Sequence, residues 1–209
     1  MKNSKLSGNA LTPDQKVLIM IHGRGGAAAD ILSLAQELYL PDFTLIAPQA
    51  VSNSWYPKSF LSPRINNEPN LSASLLQIKD VVDELKREGL PTAQIYFLGF
   101  SQGACLMLDF AASNAERFGG IVAFTGGVIG QSVDHRLYHG DFKNTPVVIA
   151  SSDPDEHVPV NRVRETTNLY ENMGADVTEI LYKNMGHTIS DAEIYQVNKI
   201  IFGKPKAAE

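Results

Sequence analysis

The sequence predicts a single α/β domain with a mostly parallel central sheet and helices on both of its faces. Strand-like and helix-like segments alternate along nearly the whole chain, and repeated β-α units favour parallel pairing. The chain has 209 residues, enough for one well-buried domain over residues 1–209. No linker or internal repeat is visible, so we expect a compact domain without a large lid domain.

The first half of the chain contains three predicted strands and two predicted helices. Short apolar runs predict strands over residues 17–21, 44–47 and 95–98. Apolar residues at helical spacing predict a helix over 27–38 and a longer one from an N-cap at Asn70 to about Gly89. Residues 1–15 precede them as a short N-terminal segment for which an irregular structure is expected.

The second half continues the alternation. A helix follows the third strand and is predicted to close at residues 118–120. Further strands are predicted over 121–124, 147–150 and 177–182, with helices over 161–173 and after a capping box of Ser190 and Glu193. The long irregular segments 51–69 and 126–144 both follow strands, so we expect both to border the ligand-binding edge of the sheet.

The composition of the chain limits the classes of partner that we expect it to bind. Charged residues make up 20% of the chain and the formal net charge is −5, which disfavours nucleic acid. No apolar run approaches the length that spans a bilayer, so no stable membrane insertion is expected. The only cysteine, Cys105, cannot form an internal disulfide, which favours the cytoplasm. No metal or nucleotide motif occurs in the sequence, so no cofactor is expected. The sequence leaves open whether the protein forms a homodimer.

A G-x-S-x-G sequence, residues 99–103, lies between the third predicted strand and the helix that follows it. A serine on such a sharp strand-to-helix turn is typical of a nucleophile elbow. A Cβ at Gly99 or Gly103 is expected to collide with neighbouring backbone in so tight a turn. Ser101 is therefore the predicted nucleophile.

A serine hydroxyl needs a base, and in an elbow fold the acid and then the histidine follow it along the chain. His187 is the best candidate base because it follows the last predicted strand, whereas His135 and His139 lie in a polar loop and are expected at the surface. The acid should follow the strand over 147–150. Spacing alone does not choose between Asp153 and Asp155.

The developing oxyanion needs hydrogen-bond donors. The elbow supplies the amide of Gln102, and the glycine-rich loop after the first apolar strand supplies the amide of Arg24. The Arg24 side chain either meets an anionic substrate group or faces solvent. Trp55 is the candidate substrate-binding wall, with a structural role beneath its loop as the alternative.

Several matched stretches in the right order resemble the phospholipase/carboxylesterase family of α/β-hydrolases, which includes acyl-protein thioesterases. They are Ile21-His22-Gly23-Arg24-Gly25, Ser54-Trp55-Tyr56, Gly99-Phe100-Ser101-Gln102-Gly103-Ala104, Asp155-Glu156-His157-Val158-Pro159 and Gly186-His187-Thr188-Ile189. The resemblance selects Asp155 over Asp153 as the acid. It departs from the family at Ser151-Ser152, where glycine is usual, and at Arg24, where an apolar residue is frequent.

The resemblance implies an α/β-hydrolase fold and hydrolysis of carboxylic esters or thioesters without a cofactor. The expected partner is a small-molecule ester or thioester with a short to medium acyl group. Two alternatives stay open from the sequence. One is a non-catalytic binding protein on a hydrolase scaffold, and the other is an acyltransferase that uses the same three residues.

Overall fold

The computed structural model describes residues 4–9, 12 and 15–203. Within these residues, seven strands form one sheet in the order β1-β3-β2-β4-β5-β6-β7, with β1 antiparallel to β3 and all other neighbours parallel. The strands are β1 Ser4–Gly8, β2 Lys16–Ile21, β3 Phe43–Pro48, β4 Ile95–Phe100, β5 Gly120–Phe124, β6 Pro146–Asp153 and β7 Asp176–Lys183. The predicted mostly parallel sheet is confirmed.

Helices cover both faces of this sheet. They are α1 Ala28–Ser33, α2 Asn70–Arg87, α3 Gln102–Ser113, α4 Val160–Asn172 and α5 Asp191–Val197, which a π-turn continues over Asn198–Phe202. Alternate residues of β2 enter two separate cores. Val17 and Ile19 pack with α2, α3 and α4, whereas Leu18 and Met20 pack with α1 and α5. The strand period of two thus divides the apolar core into two layers.

The structure corrects the expectation of an irregular N-terminal segment. Within residues 1–15, Ser4–Gly8 form β1, which pairs with β3 along its whole length. Its side chains are mostly exposed, so the strand forms through its backbone ladder and leaves no apolar pattern in the sequence. The other residues of the segment lie outside those described, except Asn9, Thr12 and Gln15.

Three helix boundaries also differ from the predictions. The helix predicted over 27–38 ends at Ser33, and a 3₁₀ turn continues it over Leu34–Glu37. Asn70 is the first residue of α2 and Pro69 occupies the N-cap, while the Glu68 carboxylate accepts the Ser72 amide at 3.1 Å. Helix α3 ends at Ser113, well before the predicted close at 118–120.

The two long irregular segments are anchored to α3 through one buried carboxylate. Asp109 is fully buried and accepts both terminal nitrogens of Arg64, at 2.7 and 2.9 Å. It also accepts the Ile129 amide at 3.2 Å and the Tyr138 hydroxyl at 2.9 Å. Arg64 belongs to segment 51–69, and Ile129 and Tyr138 belong to segment 126–144. A paired buried charge of this kind holds both segments against the domain.

Replacement of Gly103 by alanine tests the packing of α3 against β2. A Cβ at Gly103 would lie 2.3 Å from the Ile21 carbonyl oxygen, so we expect a loss of about 2 kcal/mol in the free energy of unfolding. Helix propensity alone predicts a gain of about 1 kcal/mol. Urea denaturation of Gly103→Ala measures the sign.

Gly26→Ala is the matched control, because a Cβ there meets its nearest atom at 3.4 Å, an ordinary contact. We expect it to unfold at nearly the wild-type urea concentration. A Gly103→Ala protein as stable as Gly26→Ala would contradict the close packing of α3 on β2.

Candidate active site

The elbow forms as the sequence predicts. Ser101 joins β4 to α3 with φ 55° and ψ −120°, a positive-φ backbone conformation that few residues other than glycine adopt. A Cβ at Gly99 would lie 2.7 Å from the Ala104 Cα, and one at Gly103 would lie 2.3 Å from the Ile21 carbonyl oxygen. The predicted collisions are confirmed, and they explain why both flanking residues are glycine.

Ser101, His187 and Asp155 form one chain of hydrogen bonds. The Nε2 atom of His187 lies 2.8 Å from the Ser101 Oγ, and its Nδ1 lies 2.9 Å from the Asp155 Oδ2. The Asp155 side chain is fully buried and that of His187 is 15% exposed. The structure therefore brings together the three residues predicted as nucleophile, base and acid.

The loop after β6 orients the Asp155 carboxylate. Its Oδ1 accepts the amides of His157 and Val158, both at 2.8 Å, while Oδ2 faces His187. Burial favours the neutral form of Asp155, but the bonds from His157, His187 and Val158 outweigh it and lower the pKa of the carboxyl. Asp153 is exposed at the end of β6, so the geometry favours Asp155.

The other histidines take no part in this chain of hydrogen bonds. His135 and His139 are exposed, as predicted. The exposed ring of His157 meets the His187 ring edge-on, with 4.7 Å between their centroids.

Ser152 connects the acid loop to the histidine turn, a role the sequence analysis missed. Its buried hydroxyl donates to the Pro154 carbonyl and accepts the Gly186 amide, each at 2.9 Å. One bond fixes the chain just before Asp155 and the other fixes the residue before His187. The signal was the serine pair that stands where the resembled family has glycine.

The glycine-rich loop after β2 lies beside the elbow. A Cβ on Gly23 would lie 3.5 Å from the Ser101 Cβ, so the backbone of this loop approaches the reactive hydroxyl closely. Gln102 begins α3, where the first amides of a helix have no acceptor within it. The predicted oxyanion donors, the amides of Arg24 and Gln102, thus belong to two segments that meet next to Ser101.

The Arg24 side chain turns toward segment 51–69. Its guanidinium donates to the Ser54 hydroxyl at 3.1 Å and to the carbonyls of Pro57 and Lys58 at 3.2 and 2.8 Å. It also lies over the Tyr56 ring, 5.9 Å from the centroid. Although exposed, Arg24 therefore ties the glycine-rich loop to the neighbouring segment, which neither sequence interpretation of its side chain anticipated.

Gln102 holds the same segment with its side chain. The buried carboxamide accepts the Trp55 amide at 3.0 Å and donates to the Tyr56 carbonyl at 2.8 Å. The residue after Ser101 therefore has a structural use beyond its backbone amide.

The interpretation of Trp55 as a substrate-binding wall is wrong. Its side chain is only 1% exposed, and the indole N–H donates to the His22 carbonyl at 2.8 Å. The indole packs against the His22 imidazole, with 4.9 Å between the rings. Trp55 supports the glycine-rich loop from below, because its N–H finds its acceptor there rather than at the cavity surface.

His22 completes this support as a neutral imidazole. Its Nδ1 donates to the Gly23 carbonyl at 2.7 Å and its Nε2 accepts the Ala50 amide at 3.2 Å. Burial lowers the pKa of His22, and the two bonds assign the proton to Nδ1.

A cavity of about 600 Å³, here called the first cavity, opens over Ser101. Its apolar lining comes from Tyr56, Phe60, Leu61, Cys105 and Val158, and its polar rim includes Arg24, Lys58 and Glu156. Burial raises the pKa of the Cys105 thiol to about 12, so this sulfur is a poor nucleophile.

Residues 56–61 of segment 51–69 line one side of the first cavity, whereas segment 126–144 supports it from behind. The Gly130 amide donates to the Phe60 carbonyl at 2.8 Å, and no residue of 126–144 lines the cavity. The prediction that both segments border the site therefore holds for the first, with an indirect role for the second.

Among residues 4–9, 12 and 15–203, no three His, Cys, Asp or Glu side chains are grouped as metal ligands. No helix in this part of the chain is both long and apolar enough to cross a membrane.

Comparison with known proteins agrees with this architecture. A phospholipase/carboxylesterase from Dyadobacter fermentans DSM 18053 superposes with a TM-score of 0.94 and 48% identity, covering 97% of each chain. A carboxylesterase from Bacillus cereus shares the fold with a TM-score of 0.77 at 20% identity, covering 94% of this chain and 91% of its own.

Sequence comparison gives the same result. An acyl-protein thioesterase 1 homologue from Dictyostelium discoideum is 26% identical over 96% of this chain and 95% of its own. A probable carboxylesterase from Oryza sativa subsp. japonica is 24% identical over 96% of this chain and 82% of its own. The model of the phospholipase/carboxylesterase family matches residues 8–202. The chain belongs to the phospholipase/carboxylesterase family, with the α/β-hydrolase fold.

Proposed function

We propose that the protein hydrolyses carboxylic esters or thioesters with short to medium acyl groups through an acyl-enzyme on Ser101. The observation that carries the proposal is the continuous hydrogen-bond chain from the Ser101 Oγ through His187 to Asp155, with links of 2.8 and 2.9 Å. Nucleophile, base and orienting acid are within hydrogen-bonding distance of one another.

In the first half-reaction, His187 Nε2 takes the Ser101 proton as the Oγ attacks the substrate carbonyl carbon. Asp155 accepts the bond from Nδ1, fixes the tautomer and stabilises the imidazolium that forms. The carbonyl oxygen becomes an oxyanion, to which the amides of Arg24 and Gln102 donate hydrogen bonds. The bond to the alcohol or thiol then breaks, and that leaving group takes the proton from His187.

In the second half-reaction, water replaces the leaving group. His187 takes a proton from the water as its oxygen attacks the acyl carbon. The oxyanion forms again on the same two amides, and the ester bond to Ser101 breaks. Ser101 recovers its proton from His187 and the carboxylic acid leaves, so no external oxidant, reductant or cofactor is needed.

The proposed acyl preference follows from the first cavity. Its volume of about 600 Å³ is limited by Phe60, Leu61 and Val158. Arg24 and Gln102 donate to carbonyls of this wall segment, and its Arg64 donates to Asp109, so the wall resists widening for a long chain. The proposed location is the cytoplasm, which the single cysteine of the sequence supports.

Ser101→Ala tests the nucleophile. We expect labelling by a fluorophosphonate probe to disappear and turnover of p-nitrophenyl butyrate to fall by about 10⁶-fold, since the residues act as a unit. Ser132→Ala is the control, because Ser132 is exposed and lies outside the first cavity. Labelling that persists in Ser101→Ala would refute the assignment.

A parallel pair of variants tests the acid. Asp155→Asn removes the acceptor for the His187 Nδ1–H, so we expect kcat to fall about 100-fold or more below that of Asp153→Asn. The two changes are chemically identical and two residues apart, so Asp153→Asn controls for lost charge. Equal losses in the two variants would remove Asp155 from its proposed role.

A series of p-nitrophenyl esters from acetyl to palmitoyl tests the acyl preference. We expect kcat/KM to reach its maximum at a short or medium chain and then fall. Leu61→Trp should move the maximum to shorter chains by filling the cavity, whereas Leu76→Trp, at a 56% exposed site on α2, should not. A value that rises steadily beyond the dodecanoyl ester contradicts the proposal.

A further inference from the structure

A second cavity, of about 530 Å³, lies on the other side of the glycine-rich loop. It shares Gly23, Arg24 and Phe100 with the first cavity. Ile31, Leu34 and Ile189 supply its other apolar lining, and Asp30 and Glu37 supply its carboxylates. The catalytic mechanism described above makes no use of this space.

The two cavities lie over opposite faces of the sheet. Tyr56, Phe60, Cys105 and Val158 of the first cavity belong to the core layer of α2, α3 and α4. Ile31, Leu34, Phe100 and Ile189 of the second belong to the layer of α1 and α5. The cavities meet at the elbow, where β4 ends. An ester likewise has two arms, the acyl chain and the leaving group, one on each side of its reacting carbonyl carbon.

His187 lies where the two cavities meet, since it lines the first cavity and lies close to residues that line the second. Its ring lies 5.3 Å from that of Phe100, which lines both cavities, and Ile189, two residues further along the chain, lines the second. Because His187 must pass its proton to the departing oxygen or sulfur, the leaving group has to lie beside it. Because the proposed function places the acyl arm in the first cavity, the leaving group extends from His187 into the second.

We propose that the second cavity is the subsite for the leaving group, and that it prefers uncharged or cationic alcohols and thiols with an apolar body. This inference rests on the proposed function.

The charge preference follows from the lining. Asp30 and Glu37 provide two carboxylates, and one oxygen of Asp30 accepts the Ala27 amide at 2.7 Å. Among the described residues of the lining, the one cationic side chain is that of Arg24, which directs its guanidinium to Ser54, Pro57 and Lys58. An anionic leaving group, such as a phosphate-bearing thiol, would therefore meet two carboxylates and one guanidinium that is already bound to other oxygens.

Three butyrate esters test the charge preference on the intact enzyme. They are butyrylcholine, its uncharged isostere 3,3-dimethylbutyl butyrate, and anionic 3-sulfopropyl butyrate. Each kcat/KM, which reports acylation, is divided by the rate of the same ester with hydroxide to remove intrinsic reactivity. We expect the corrected value for the cation to exceed that for the anion by about fivefold, because the carboxylates are partly screened by solvent.

Glu37→Lys should reduce that cation-to-anion ratio by about fivefold. Glu171→Lys is the control, since it makes the same change at an exposed site on α4 outside both cavities. If the ratio falls equally in both variants, net charge explains it and the proposal fails. A ratio unchanged in Glu37→Lys also overturns the proposal.

Leu34→Trp tests the location without relying on charge. Filling the second cavity should lower the ratio of kcat/KM for 3,3-dimethylbutyl butyrate to that for methyl butyrate by about tenfold. Leu76→Trp should leave this ratio unchanged. If Ser101→Ala abolishes activity on both esters but Leu34→Trp keeps the wild-type ratio, the subsite alone is rejected. Activity that survives Ser101→Ala would reject the proposed function itself.

Discussion

The close approach of α3 to the end of β2 is the contact on which the candidate site depends. Gly103 leaves no room for a side chain, since a Cβ would lie 2.3 Å from the Ile21 carbonyl oxygen and 2.5 Å from that of His22. This approach sets the elbow against the glycine-rich loop. Ser101 therefore stands beside Gly23, and the first amide of α3 lies near the same point. The nucleophile and the proposed oxyanion donors are positioned by one backbone contact.

Helix α3 also anchors the surroundings of the site. Near its start, the Gln102 carboxamide holds the backbone of Trp55 and Tyr56, and two turns later Asp109 holds Arg64. A buried carboxylate is costly unless it is well paired, and Asp109 has four donors to compensate for its lost hydration. The cavity wall is thus fixed by the same helix that carries the elbow, so wall and nucleophile keep their relative positions.

The sequence alone predicted those features of the fold and the site that depend on local signals. Strand and helix periodicity predicted the layered fold, the glycines on either side of Ser101 predicted the elbow, and the turn after the last strand pointed to His187. The acid required the family resemblance, because Asp153 and Asp155 both follow the strand predicted over 147–150 and only the three-dimensional path of the chain separates them.

Contacts between distant residues account for most of what the sequence did not predict. Arg24 binds carbonyls more than thirty residues away, and Trp55 donates to His22 across a similar separation. The types of these residues allow either a cavity-facing or a supporting role, and only the position of the partner decides between them. Strand β1 was not predicted for a related reason. An edge strand pairs through backbone hydrogen bonds, which form whatever its side chains are.

The glycine-rich loop is therefore more than a source of one amide. Arg24 binds it to segment 51–69 on the side of the first cavity, while His22 and Trp55 support it from below. On the other side, the Asp30 carboxylate accepts the Ala27 amide at the end of the loop. Because the loop separates the two cavities, a shift of its backbone would alter both of them together with the proposed oxyanion site. The acyl group, the leaving group and the developing charge would then all depend on the position of residues 22–26. The side chains that bind this loop fix that position.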